Sequence, residues 1–160
     1  MNMAFLVACF AILALAALPA AAQAPPPYGS SINLEQARKI AVAAEAEARR
    51  NSWQVVIAVT DPAGNLIVLH RLDDAQIGSI DVARAKAWTA AAFRRPTKSF
   101  EETVAGGGSG LRVLTLPGVI AAEGGLPLVL DGKIVGAIGV SGVTSQQDGQ
   151  IAAAGAAALK

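Results

Sequence analysis

Two apolar runs rich in β-branched residues, 54–60 and 66–72, flank Asp61-Pro62-Ala63-Gly64-Asn65, and this arrangement constrains the fold more than any other stretch. Pro62 presets one backbone dihedral and Gly64 admits a positive one, so the connection reads as a turn and the two runs as a β-hairpin. Further β candidates follow near 119–121, at 126–130 before an Asp131-Gly132 turn, and at 134–140. Asn33, with Gln36 three residues on, opens a helix running through Asn51. Ser79 is placed to cap a second helix that reaches Phe93, where Pro96 stops it; Thr97 is placed to cap a third, and an Ala-rich helix closes the chain from about Ser145. The order α-β-β-α-α-β-β-β-α has hairpins and no obligatory strand-helix-strand alternation. It predicts an α+β fold with an antiparallel sheet.

Composition bears on the ends of the chain. Residues 1–22 carry no Asp, Glu, Lys or Arg, and the apolar run ends at Pro19 before Ala22-Gln23-Ala24, a small-x-small site. Residues 1–24 are therefore expected to be a secretory signal, too short in its apolar part to span a bilayer and lacking a basic stop-transfer flank. Export to a periplasm or the medium follows, with no stable membrane anchor. The only cysteine, Cys9, lies inside that run, so the processed chain is expected to have no thiol chemistry. Residues 25–32, opening with three prolines, read as a flexible leader, and 33–160 as one domain. With 13 Lys and Arg against 12 Asp and Glu, no concentrated basic field exists to recruit nucleic acid or an anionic membrane.

The single histidine, His70, shares an alternating row with Leu66, Val68 and Leu72. It reads either as a partly buried strand residue or as a metal ligand. One helical stripe holds Val82, Ala85, Lys86, Thr89, Ala92 and Phe93, so a lysine interrupts a largely apolar face. Such an ammonium must snorkel to water, pair internally with Asp61, Asp73 or Asp81, or meet an anionic ligand. Arg84 reads as a solvated face or a subunit contact. Arg94 and Arg95 complement the helix C-terminus or clamp carboxylates. Gly106-Gly107-Gly108-Ser109-Gly110 lacks the remainder of a phosphate loop, and Gly139-Val140-Ser141-Gly142 has no downstream histidine for a serine triad.

Taken in order, Val59-Thr60-Asp61-Pro62-Ala63-Gly64-Asn65-Leu66, Arg71-Leu72-Asp73-Asp74-Ala75, Ala83-Arg84-Ala85-Lys86-Ala87-Trp88-Thr89-Ala90-Ala91-Ala92-Phe93, Arg95-Pro96-Thr97, Gly124-Gly125-Leu126-Pro127-Leu128 and Ile134-Val135-Gly136-Ala137-Ile138-Gly139-Val140-Ser141-Gly142 with Asp148 resemble the GlcG/HbpS-like haem-binding family, which includes the C-terminal domain of PduO proteins. The resemblance spans essentially the whole chain after residue 24. It implies a profilin-like α/β/α arrangement around a five-stranded antiparallel sheet with helices on both faces. It further implies homo-oligomers, haem or a related tetrapyrrole as cofactor, and, for exported members, a partner sensor protein. The family's recurrent segment falls on Lys86, Ala87, Thr89, Ala90, Ala91 and Phe93, and its Pro-Thr pair on Pro96 and Thr97.

The leading expectation is an exported, oligomeric haem-binding protein with no catalytic residue assigned. Its haem would lie against the second helix, with Lys86, Arg94 and Arg95 meeting the propionates, Thr89 and Phe93 flanking the groove, and His70 or Thr97 approaching the iron. Two alternatives stand beside it: a small-molecule or haem-degrading enzyme using the same groove, and an interaction module whose groove is filled by a neighbouring subunit.

Overall fold

The computed structural model describes residues 24–160, so the expected signal segment, Cys9 included, lies outside the described residues except for Ala24. The elements are α1 (Leu34–Arg50), β1 (Val56–Thr60), β2 (Leu66–Arg71), α2 (Ser79–Phe93), α3 (Lys98–Ala105), a 3-10 helix (Gly108–Thr115), β3 (Gly125–Leu130), β4 (Lys133–Ser141) and α4 (Ser145–Ala156). No helix among them is long and apolar enough to cross a membrane.

Local signals account for most boundaries. Asn33 and Gln36 form the expected capping box, and Thr144 and Gln147 form another at the start of α4, satisfying N–H groups that the first turn leaves without partners. Asp131 and Gly132 both have positive φ, which suits the two-residue turn joining β3 to β4. Ser79 does not cap α2. Its hydroxyl lies 3.1 Å from that of Ser141 across the core, and Gly78 takes the cap position.

The sheet is antiparallel in the order β2-β1-β4-β3. Alternation along β1 divides its two faces. Val55, Ile57 and Val59 pack with α1 and α4 through Ile40, Ala44 and Ile151, whereas Val56 and Ala58 pack with Ala83 and Ala87 of α2. Each large aliphatic side chain buried this way favours folding by about 1.5–3 kcal/mol relative to exposure.

Two expectations are corrected. The sheet has four strands among the described residues, because 119–121 forms none; the backbone N–H of Ile120 donates to the Thr89 hydroxyl at 3.1 Å, so a side chain takes the place of a ladder partner. The leader is tied down from Pro27 onward. Ile134 N–H donates to the Pro27 carbonyl, the N–H groups of Gly29 and Ile32 donate to Ile134 and Val135, and Tyr28 forms a single parallel bridge with Ile134. Composition marked these residues as mobile, but their backbone groups pair with Ile134 and Val135, the part of β4 that β1 does not reach, and Ile32 enters the core.

Candidate functional site

Helix α2 approaches the sheet unusually closely because small residues line both sides of the contact. Ala83, Ala87, Ala90 and Ala91 are fully buried, and opposite them stand Gly139 and Gly125. A Cβ on Gly139 would lie 2.1 Å from the Ala83 carbonyl oxygen, and one on Gly125 would lie 2.4 Å from that of Lys86. This contact fixes which side of α2 is inside. The buried stripe is turned from the one expected: Lys86 and Thr89 are inside, while Val82, Ala85, Ala92 and Phe93 lie on its flanks, half-buried.

Lys86 does not reach a ligand surface. Its side chain passes beside Gly124, and Nζ donates to Asp148 Oδ2 at 2.7 Å, with both side chains only 3% exposed. Asp148 lies on α4, which packs on the opposite face of the sheet, so the pair joins the two layers. Burial pushes the Asp148 carboxyl above the ordinary carboxylate range, although Lys86 and the N–H of Val143 pull it down. None of Asp61, Asp73 and Asp81 is the counter-ion of Lys86.

Thr89 and Thr97 are likewise structural. The Thr89 hydroxyl accepts from Ile120 N–H and lies 3.4 Å from the Gly118 carbonyl, anchoring the loop before β3. Thr97 is fully buried, accepts from Gly125 N–H at 2.9 Å and donates its own N–H back to Gly125 at 3.0 Å. Its side chain therefore holds β3 rather than capping α3, and its oxygen is withdrawn from any approach to iron.

His70 is on the other side of the molecule. It pairs across the strands with Ile57, which packs beneath α1, so it shares the α1 face and not that of α2. Its Nδ1 lies 2.8 Å from Glu45 Oε2, and the other oxygen of Glu45 accepts from Arg49 Nε at 2.7 Å. The Arg49 bond, aided by His70, holds the Glu45 carboxyl below its ordinary value despite partial burial. An ionised Glu45 only accepts, so Nδ1 carries the proton in this bond. The expectation that His70 and Lys86 share one groove is therefore overturned by the alternation of the hairpin.

The outer stripe of α2, by contrast, forms surface grooves. Asp81, Arg84, Ala85, Trp88 and Ala92 follow one another at helical spacing and face away from the sheet. On one side of Trp88 a groove of 330 Å³ is lined by Thr60, Gly64, Leu66, Arg84 and Gly118. On the other, a groove of 530 Å³ lies between Trp88 and Tyr28, floored by Ala92 and walled by Pro62 and Ala63. Small residues hold the indole in place: a Cβ on Gly64 would lie 2.5 Å from it and one on Gly118 would lie 3.0 Å away. Leu66 enters this lining because a bulge between Val59 and Thr60 shifts the register, so that Thr60 faces Leu66 and the simple alternation through Val68 and His70 breaks at Ile67.

The turn that forms the groove wall is built by Asp61. Its Oδ1 accepts from the N–H groups of Ala63 and Asn65, both at 2.8 Å, and Oδ2 from the Asn65 side chain at 2.9 Å. Burial alone would raise this carboxyl, but the donors around it hold it below its ordinary value.

At the C-terminal end of α2, Arg94 adopts the left-handed conformation that closes the helix, and its guanidinium sits over the Tyr28 ring, 5.6 Å from the centroid. Arg95 sits over Phe100 at 5.6 Å and donates to the Phe93 carbonyl. Phe93 bridges Trp88 and Phe100 by edge-to-face contacts at 6.0 and 5.4 Å. Arg94 and Arg95 line a further groove of 670 Å³ with Pro25, Pro26 and Ser99, and among the described residues neither makes an ion pair. With Arg94 held over one wall of the aromatic slot and Arg95 in the groove that Arg94 also lines, the two guanidinium groups and the slot together can bind a flat molecule carrying carboxylates. The sequence offered a signal for the arginines, but not for Trp88, Tyr28 or Leu66 as groove residues.

Comparison with known proteins agrees with this fold. GlcG of Escherichia coli K12 is 44% identical over 110 residues, which cover 69% of this chain and 81% of GlcG. A doubly substituted HbpS from Streptomyces reticuli has a TM-score of 0.76 at 35% identity, covering 91% of this chain and 99% of that one. A PduOC:haem complex has a TM-score of 0.74 at 30% identity, covering 81% and 96%. A family model described as haem degrading protein HbpS-like matches residues 32–157, and the chain belongs to this HbpS-like family.

Proposed function

We propose that this protein binds haem or a related tetrapyrrole along the outer side of α2. The observation that carries the proposal is the slot between Trp88 and Tyr28, with Arg94 over the Tyr28 ring and sharing a further groove with Arg95, neither arginine paired with a carboxylate among the described residues. A porphyrin needs a flat apolar bed and cations for its propionates. The slot, at 530 Å³, lies within the range of small-molecule sites and supplies the bed, while Arg94, over Tyr28, and Arg95, in the groove that Arg94 also lines, supply the cations. The family description names haem, and the PduOC relative was crystallised with it. Arg94, Arg95, Trp88 and Tyr28 would hold the group, and Phe93 would support the wall from behind. Bound haem would supply a redox-active iron. We place the protein outside the cytoplasm as a self-associating chain, acting in haem or redox sensing with a sensor partner.

The test is a Soret titration of the protein lacking residues 1–24. Wild type shifts the band at micromolar haem, Arg94→Ala/Arg95→Ala weakens binding by about tenfold or more, the loss of roughly 1.4 kcal/mol, and His70→Ala leaves it intact. An unshifted band would instead favour a groove that another subunit fills. The word degrading in the family description favours a second reading, turnover in the same groove. It predicts that the Soret band of the complex decays when a reductant and oxygen are supplied, where a carrier would keep it.

A further inference from the structure

The groove chemistry also determines which part of a tetrapyrrole is recognised. Ring stacking on Trp88 and carboxylate pairing with Arg94 and Arg95 depend on the macrocycle and its side chains, and neither contact involves the central metal. Among the described residues, Tyr28, Thr97, His70 and Asp81 carry metal-seeking atoms, and each is engaged or placed away from the slot. The Tyr28 hydroxyl donates to the carbonyls of Ala91 at 3.0 Å and Ala92 at 3.1 Å, so a phenolate there would face two carbonyl oxygens at a helix C-terminus. Thr97 oxygen is buried against Gly125, and the His70 imidazole is bonded to Glu45 on the far face of the sheet. Asp81 stands on the other side of Trp88, beside Arg84 and in solvent.

Building on the proposed function, we infer that the site recognises a flat tetrapyrrole dicarboxylate irrespective of its metal. Metal-free protoporphyrin is then as good a ligand as haem. Tyr28, Thr97 and His70 would then have no part in holding the metal.

Trp53→Phe gives a protein whose fluorescence reports only Trp88, since the chain has two tryptophans and Trp53 packs on the opposite layer. Metal-free protoporphyrin IX, its zinc complex, haem and protoporphyrin dimethyl ester are titrated into it. The inference expects quenching by the first three with dissociation constants within about threefold, and by the ester at least about tenfold more weakly. Haem binding about tenfold or more tighter than metal-free protoporphyrin overturns it, as does a nitrogen-ligated haem spectrum that His70→Ala abolishes. Quenching by none of the four removes the tetrapyrrole site itself and the inference with it, a result distinct from metal preference.

Discussion

Replacing Lys86 by Met leaves Asp148 buried and without its cation, and the size of the penalty follows from where the proton goes. A carboxylate only 3% exposed does not remain charged alone in such a place; it takes a proton. In the unfolded chain the same group ionises near 3.8. Keeping it neutral at pH 7 therefore costs about 1.4 kcal/mol for each of roughly three pH units, or about 4 kcal/mol, which agrees with the 3–5 kcal/mol typical of a broken buried pair. At pH 5 the same arithmetic leaves only about 1.5 kcal/mol. The sign is fixed, because the folded variant holds a proton that the unfolded chain has released above pH 3.8; its stability must fall as pH rises.

Urea unfolding followed by far-ultraviolet circular dichroism at pH 5 and pH 7 measures both values, and the lower pH retains a folded population if pH 7 does not. Lys86→Met/Asp148→Leu removes both charges and is expected to lie within about 2 kcal/mol of wild type at either pH. A single-variant cost under about 1 kcal/mol at both pH values would refute the buried-pair argument. So would a well-folded Lys86→Met protein that has lost porphyrin binding, since Lys86 would then face the ligand.

Asp61→Ala should cost about 1 kcal/mol at pH 7, reduced by the solvent contact of the turn; because the folded pKa of Asp61 is depressed, this contribution is complete above its unfolded value and disappears as pH falls through the folded one, which unfolding at pH 7 and pH 3 compares. Gly139→Ala places a methyl group 2.1 Å from the Ala83 carbonyl and should lower stability by about 3 kcal/mol or more, seen as a reduced urea midpoint with α2 displaced. Thr97→Val keeps the shape but strands the Gly125 N–H, costing about 1–3 kcal/mol while porphyrin affinity in the folded protein stays within about twofold.

What could be read without coordinates was governed by short-range chemistry. The box of Asn33 and Gln36, the Asp131-Gly132 turn, and the end of α2 before Pro96 each depend on residues within a few positions of one another. Reading failed where a distant group decides the outcome. The cation at Lys86 visibly needed a partner, but Asp148 is 62 positions away and reaches it only because α4 folds over the opposite layer. The backbone at 119–121 is coil because Thr89, 31 positions back, takes the N–H of Ile120. The leader is ordered because β4 leaves one side open at Ile134 and Val135, which nothing in its own proline-rich composition announces.

Helix α2 shows why the ligand groove was harder to locate than the scaffold. Periodicity identifies a buried stripe by contrast with the opposite one, and alanine on both sides of this helix removes the contrast. Ala83, Ala87, Ala90 and Ala91 face the sheet, while Ala85 and Ala92 face the grooves. The same economy of side-chain volume serves both contacts. Inside, it lets the helix settle onto Gly125 and Gly139; outside, it leaves a trough in which Trp88 is the aromatic projection. A larger residue at Ala92 would close the slot between Trp88 and Tyr28 without touching the core. Ala92→Leu should therefore abolish porphyrin binding at unchanged urea midpoint, and a variant that binds normally would place the ligand elsewhere.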